Sequence, residues 1–134
     1  MTAVGDVVAE RTVHLTRESL VRYAGASGDF NPIHYRDDVA ESVGLPGVLA
    51  HGMLTMGIAV QPVVEWLGDP GRVLDNGVRF TRPVVVDPSD GATLTVLARV
   101  GALDSDAGEA RIDLTVTASG GTVLGKAQVR VSLR

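Results

Sequence analysis

The chain has 134 residues, 45% of them hydrophobic, which allows one domain with a real core and is too short for two of ordinary size. Twelve Lys and Arg against sixteen Asp and Glu give a net charge of -4, and the basic residues are scattered, so the basic face that a nucleic-acid partner requires is missing. Cysteine is absent, which excludes disulfides, thiolate catalysis and cysteine-ligated metal centres.

In chain order, the run Met1-Thr2-Ala3-Val4-Gly5-Asp6 has no basic start followed by an apolar stretch, so no secretory signal is expected and the cytoplasm is the default location. A short strand is expected over 10–15. Thr16 then offers an N-cap with Glu18 in the first turn, and a helix should follow to residue 26. A second short helix over 37–43 is stopped by Gly44. Residues 45–64 carry no Asp, Glu, Lys or Arg and approach the length of a membrane span. They open on Leu45-Pro46-Gly47, contain His51, Gln61 and Pro62, and lack basic flanks, so no membrane span is expected and a buried core helix fits better. That helix, 52–67, is apolar nearly all round and must be buried on most sides.

Turn clusters at Asp87-Pro88-Ser89-Asp90-Gly91 and Asp104-Ser105-Asp106-Ala107-Gly108 delimit strands. Over 92–100, Leu94, Val96, Ala98 and Val100 share one face; over 111–118, Ile112, Leu114 and Val116 do the same. Near the end Val123, Ala127, Val129, Val131 and Leu133 share a face, with Ser119-Gly120-Gly121 as the hairpin turn. Three antiparallel strands after one apolar helix indicate an α+β domain over residues 1–134, a curved antiparallel sheet wrapped around a long central helix. This is the hot dog architecture.

Asp29 and His34 are five residues apart, a spacing that would turn them about 140° from each other on a regular helix. Pro32 rules that helix out and biases Asn31 toward an extended backbone, while Gly28 permits a sharp exit from the helix before it. The segment is therefore a rigid loop on which both side chains can converge, and Asp with His is an apt pair for moving protons near neutral pH. On loop chemistry alone, a helix-terminating Asp followed by a loop His fits the same residues.

Tyr23, Ser27-Gly28-Asp29, Asn31-Pro32, Ile33-His34 and Ala40 form a pattern that resembles the signature of the MaoC-like, (R)-specific enoyl hydratase family. Ala50-His51-Gly52-Met53-Leu54 and Val78-Arg79-Phe80 with Pro83-Val84 extend the resemblance over nearly the whole chain. Within the family the likeness is nearest to catalytic subunits of heterodimeric (3R)-hydroxyacyl-ACP dehydratases of mycolic-acid elongation, through the stretch from His51 to Ile58, Gly68-Asp69-Pro70-Gly71 and Val78-Arg79-Phe80-Thr81.

The resemblance implies reversible syn addition of water to a trans-2-enoyl thioester, carried on acyl carrier protein or coenzyme A, without metal or other cofactor. Asp29 and His34 would hold the water or hydroxyl and titrate as one unit. The backbone N–H of Gly52, at a helix start, would face the carbonyl oxygen. Asn31 would brace the loop or touch substrate, and His51 would donate a hydrogen bond that fixes it. His14 reads as a surface residue, and the three histidines lack ligand spacing for a metal. Arg79 and Arg82 fit a solvated strand face, or alternatively the phosphate of a phosphopantetheine arm. Val60 stands where some members carry a serine, which alters the expected acyl pocket. A second hot dog unit is implied, either an identical chain or a catalytically silent homologue. The competing classes are a hot dog acyl thioesterase and a non-catalytic acyl-binding subunit.

Overall fold

The first strand, β1 (Val7–Leu15), leads directly into helix α1 (Arg17–Ser27). The computed structural model describes residues 2–134. Thr16 caps α1 as its sequence suggests: its hydroxyl accepts from the Ser19 amide, and the Ser19 hydroxyl accepts from the Thr16 amide at 3.0 Å. A short helix α2 (Asp37–Ser42) and the long helix α3 (Gly52–Leu67) follow. The rest is strand: β2 (Val73–Phe80), β3 (Ala92–Asp104), β4 (Glu109–Ala118), the two-residue β5 (Gly121–Thr122) and β6 (Leu124–Ser132).

One antiparallel sheet runs in the order β1-β3-β4-β6-β2, with β5 beside β4. Its inner face carries Leu94, Val96, Ala98 and Val100 from β3, Ile112, Leu114 and Val116 from β4, and Ala127, Val129 and Val131 from β6, all buried. Ala59 and Val63 of α3 lie in the same core. Each Val, Leu or Ile so enclosed contributes on the order of 1.5–3 kcal/mol of transfer free energy, and the alternation that predicts these strands is thereby the pattern that closes the core. The fold is α+β and of the hot dog kind.

Two expectations need correcting. Beyond the three strands read from alternation, β2 forms the edge of the sheet beside β6. Its Asp75-Asn76-Gly77 centre breaks the apolar alternation: register shifts between Val73 and Asp75 and between Gly77 and Arg79 interrupt the period of two, and no residue of the strand is fully buried. The long helix is also less enclosed than its composition suggests: Met53, Gly57, Gln61 and Glu65, four residues apart, form an exposed stripe. The sheet covers one side of α3, and Glu65 at the end of the stripe is ion-paired with Arg11 of β1.

The final strand departs from strict alternation. Gly77 faces Gln128 while Arg79 faces Gly125, so β6 holds one residue more than β2 over this stretch. Lys126 takes up the excess at φ 41, and the resulting bulge lets Leu124 and Ala127, three residues apart, both be buried. Because this conformation suits glycine and strains a side chain, Lys126→Gly should leave stability unchanged or raise it by up to about 1 kcal/mol. Lys126→Val should lower it by about 1–2 kcal/mol. Urea denaturation of the three proteins measures both.

Candidate active site

The loop after α1 is a chain of short-range turns. Gly28 ends α1 at φ 76. The Ser27 hydroxyl accepts from the Asp29 amide (3.1 Å), Asp29 Oδ1 accepts from the Asn31 amide (3.1 Å), and Asn31 Oδ1 accepts from the Ile33 amide (3.2 Å). Pro32 opens a single 3-10 turn, Pro32–His34. Asn31 thus braces the loop. Of the Asp29 carboxylate, one oxygen is committed to the backbone and Oδ2 is left for other work.

A second segment grips this loop. Residues 48–50 run antiparallel to 84–86, with Ala50 N–H to Val84 O and Val86 N–H to Val48 O, each 2.9 Å. Between these, Leu49 presents both backbone groups to the loop: its N–H donates to Ile33 O at 3.1 Å, and its carbonyl accepts from His34 Nδ1 at 2.7 Å. A carbonyl only accepts, so His34 carries its proton on Nδ1 when neutral, and Nε2 bears the lone pair. Arg17 supports the outside of this layer, bonding Val86 O at 2.6 Å and Asp37 Oδ1 at 2.8 Å. The Arg17 guanidinium holds the Asp37 carboxyl below the usual carboxylate range.

His51 lies beneath. It is 1% exposed, its Nε2 donates to Asp29 O at 3.2 Å, and its ring stacks on His34 with centroids 3.8 Å apart and 19° between planes. Tyr23 meets its other side edge-on at 4.8 Å. Nδ1 is buried without a hydrogen-bond partner, a situation that disfavours adding a charge to the ring. Burial lowers the His51 pKa from its ordinary value; the hydrogen bond to Asp29 O opposes this, and the neighbouring His34 adds to it.

His34 Nε2 and Asp29 Oδ2 stand 4.0 Å apart, with the His34 side chain 11% and the Asp29 side chain 51% exposed. His34, Gly52, Thr55 and Phe80 line a cavity of about 280 Å³. Asp29 does not line it and reaches it only through its opposition to His34. Gly52 opens α3, where the first amides have no partner within the helix, and its face is closely approached: a Cβ there would lie 2.9 Å from Phe80 Cε1. Phe80 is itself 56% exposed. His14 and Arg79 lie at the surface, as read from sequence, whereas Arg82, also exposed, borders the cavity.

Sequence spacing hides one grouping. Ligand-capable atoms of Asp29, His34 and His51 come within 4.8 Å of one another, although the histidines show no metal spacing along the chain. The geometry still suits a metal poorly. Two nearly parallel stacked imidazoles direct their in-plane lone pairs side by side, not toward one ion about 2 Å from each, and both hydrogen-bonded nitrogens already serve carbonyls. What the arrangement can do is hold a small hydroxylic molecule between a carboxylate oxygen and an imidazole nitrogen. Two participants escaped the sequence reading: Leu49, which acts only through its backbone, and Thr55, whose one signal is a hydroxyl in the apolar first half of α3.

Since folding keeps His51 neutral, the unfolded chain binds the extra proton below an ordinary imidazole pKa of about 6.5. The stabilisation is complete above that value and is lost as pH falls toward the lowered folded value. Wild-type stability should therefore decline between pH 7.5 and 5.5, by no more than about 1.4 kcal/mol per pH unit from this one group. His51→Gln, which keeps a side-chain donor, should flatten that decline; urea midpoints across the range check it.

Comparison with known proteins assigns the chain to a family. The family model for the MaoC like domain matches residues 2–119. The 3-hydroxyacyl-thioester dehydratase X of Mycobacterium tuberculosis is 34% identical over 79 residues, covering 59% of this chain and 27% of that protein. The (R)-specific enoyl-CoA hydratase of Rhodospirillum rubrum is 31% identical over 87 residues, covering 64% and 60%. A solved MaoC-like dehydratase superposes with a TM-score of 0.96 at 38% identity, over 99% of this chain and 41% of that one. The match thus spans less than two thirds of each of these relatives. The chain belongs to the family of MaoC-like domains.

Proposed function

We propose that residues 1–134 act as one hot dog unit that interconverts (3R)-hydroxyacyl and trans-2-enoyl thioesters by loss and addition of water, in fatty-acid or related acyl-chain metabolism in the cytoplasm. The observation that carries this reading is the opposition of Asp29 Oδ2 and His34 Nε2 across 4.0 Å, with His34 lining a cavity that Gly52 also lines. Both atoms are acceptors, so they do not bond each other. One water oxygen about 2.8 Å from each spans the gap and donates one hydrogen to each, leaving a lone pair free to attack.

In the hydration direction, that oxygen bonds to C3 of the enoyl group as one member of the pair takes a water proton. The C2–C3 π electrons move toward the thioester, charge develops on its carbonyl oxygen, and the Gly52 N–H faces that charge at the positive end of α3. The pair returns a proton to C2. Water and thioester balance the reaction without a cofactor, and Asp29 and His34 handle the protons as a pair. The names of the relatives, a hydratase and a thioester dehydratase, support the same chemistry.

The partner reading rests on β2. This edge strand ends at Phe80 on the cavity wall, so a second unit pairing along it, identical or homologous, would also help to enclose the acyl chain. The substrate arrives on acyl carrier protein or coenzyme A.

Incubation with crotonyl-CoA and with a longer enoyl-CoA should remove the enone absorbance without releasing thiol, and Asp29→Asn or His34→Ala should each slow turnover at least about 100-fold. Free thiol would identify a thioesterase instead. Undiminished turnover in both variants would refute the assigned pair, and activity only after addition of a homologous hot dog chain would establish the heterodimer.

A further inference from the structure

A thioester carbonyl oxygen has two lone pairs, and the Gly52 amide addresses one. One turn further along α3, Thr55 is 3% exposed, and it lines the same cavity as Gly52 and His34. A threonine inside a helix ordinarily turns its hydroxyl back onto the carbonyl three or four residues earlier. Four residues back from Thr55, the His51 carbonyl already accepts two amides, Leu54 N–H at 3.1 Å and Thr55 N–H at 3.2 Å. The Thr55 hydroxyl has no hydrogen-bond partner among the described residues, and it is not among the side-chain atoms sealed from solvent without one. It opens onto the cavity.

Direction adds to position. Side chains on a helix tilt toward its N-terminus and cover the preceding turn. Thr55 therefore leans toward the turn begun by Gly52, against which the Phe80 ring also packs. A buried hydroxyl without a protein partner costs free energy unless something in the cavity satisfies it.

We propose that the Thr55 hydroxyl donates a second hydrogen bond to the thioester carbonyl oxygen, beside the Gly52 amide, and that this contact selects ligands that carry the carbonyl. The proposal rests on the acyl-thioester reading above and adds a residue to it. Thr55 touches the substrate at the atom where charge develops, so its contribution appears in binding and in turnover.

Butanoyl-CoA and its thioether analogue S-butyl-CoA differ by that oxygen and cannot be hydrated. Calorimetric titration of the purified protein should show a preference for the thioester. Thr55→Val, nearly isosteric, should reduce that preference about threefold to tenfold with thioether affinity unchanged, while Thr55→Ser retains it. With crotonyl-CoA the valine variant should lose kcat/KM and the serine variant recover it. An unchanged preference in Thr55→Val overturns the proposal, as does equal weakening of both ligands, which would mark a packing role. A wild-type protein without preference overturns it too. Should the preference depend on Thr55 while no enoyl thioester is hydrated, the carbonyl contact stands and the dehydratase reading falls.

Discussion

Two hydrogen bonds from the Leu49 backbone hold the site together, one from its N–H to Ile33 and one from His34 Nδ1 to its carbonyl. The loop from Gly28 to Tyr35 makes its own turns from Ser27, Asp29 and Asn31, but those bonds fix only its local shape. Leu49 fixes where that shape sits relative to α3, because Val48 and Ala50 on either side are tied to Val86 and Val84. The same bond determines which imidazole nitrogen faces Asp29. Position and tautomer of the proposed proton-handling imidazole thus have one physical origin, a carbonyl that contributes no side-chain chemistry.

Much of this was legible in the amino-acid sequence, and the boundary is instructive. The bounds of α3, the cap at Thr16 and the inward faces of β3 and β4 follow from periodicity and turn chemistry, which are local. The β2 strand and the Lys126 bulge were not legible, because register shifts break the alternation of β2 and a bulge depends on its partner's register. Asp29 and His34 could be named from the loop and its family resemblance, whereas their 4.0 Å opposition depends on Leu49, fifteen residues beyond His34. The gathering of Asp29, His34 and His51 is tertiary in the same way: spacing along the chain says little once a loop and a helix start are packed together.

The histidine pair divides labour through burial. His34 reaches the cavity, and His51 is enclosed between it and Tyr23. An enclosed imidazole with one unpaired nitrogen resists protonation, so it gives its neighbour a flat platform that stays uncharged to lower pH than an ordinary histidine would. Its donated bond to the Asp29 carbonyl ties that platform to the backbone of the other proposed acid/base residue. One ring therefore orients both members of the pair without facing the cavity itself.

The approach of Phe80 to Gly52 carries a consequence for how this chain tolerates change. A methyl group at position 52 meets an aromatic ring at 2.9 Å, yet that ring is more than half exposed and has room to rotate. Whether position 52 accepts a side chain is thus conditional on what occupies position 80, and the two substitutions will not combine additively. Glycine at 52 and phenylalanine at 80 form an epistatic unit: a smaller residue on the strand relaxes the demand for glycine on the helix, and so alters which sequences can house the same cavity.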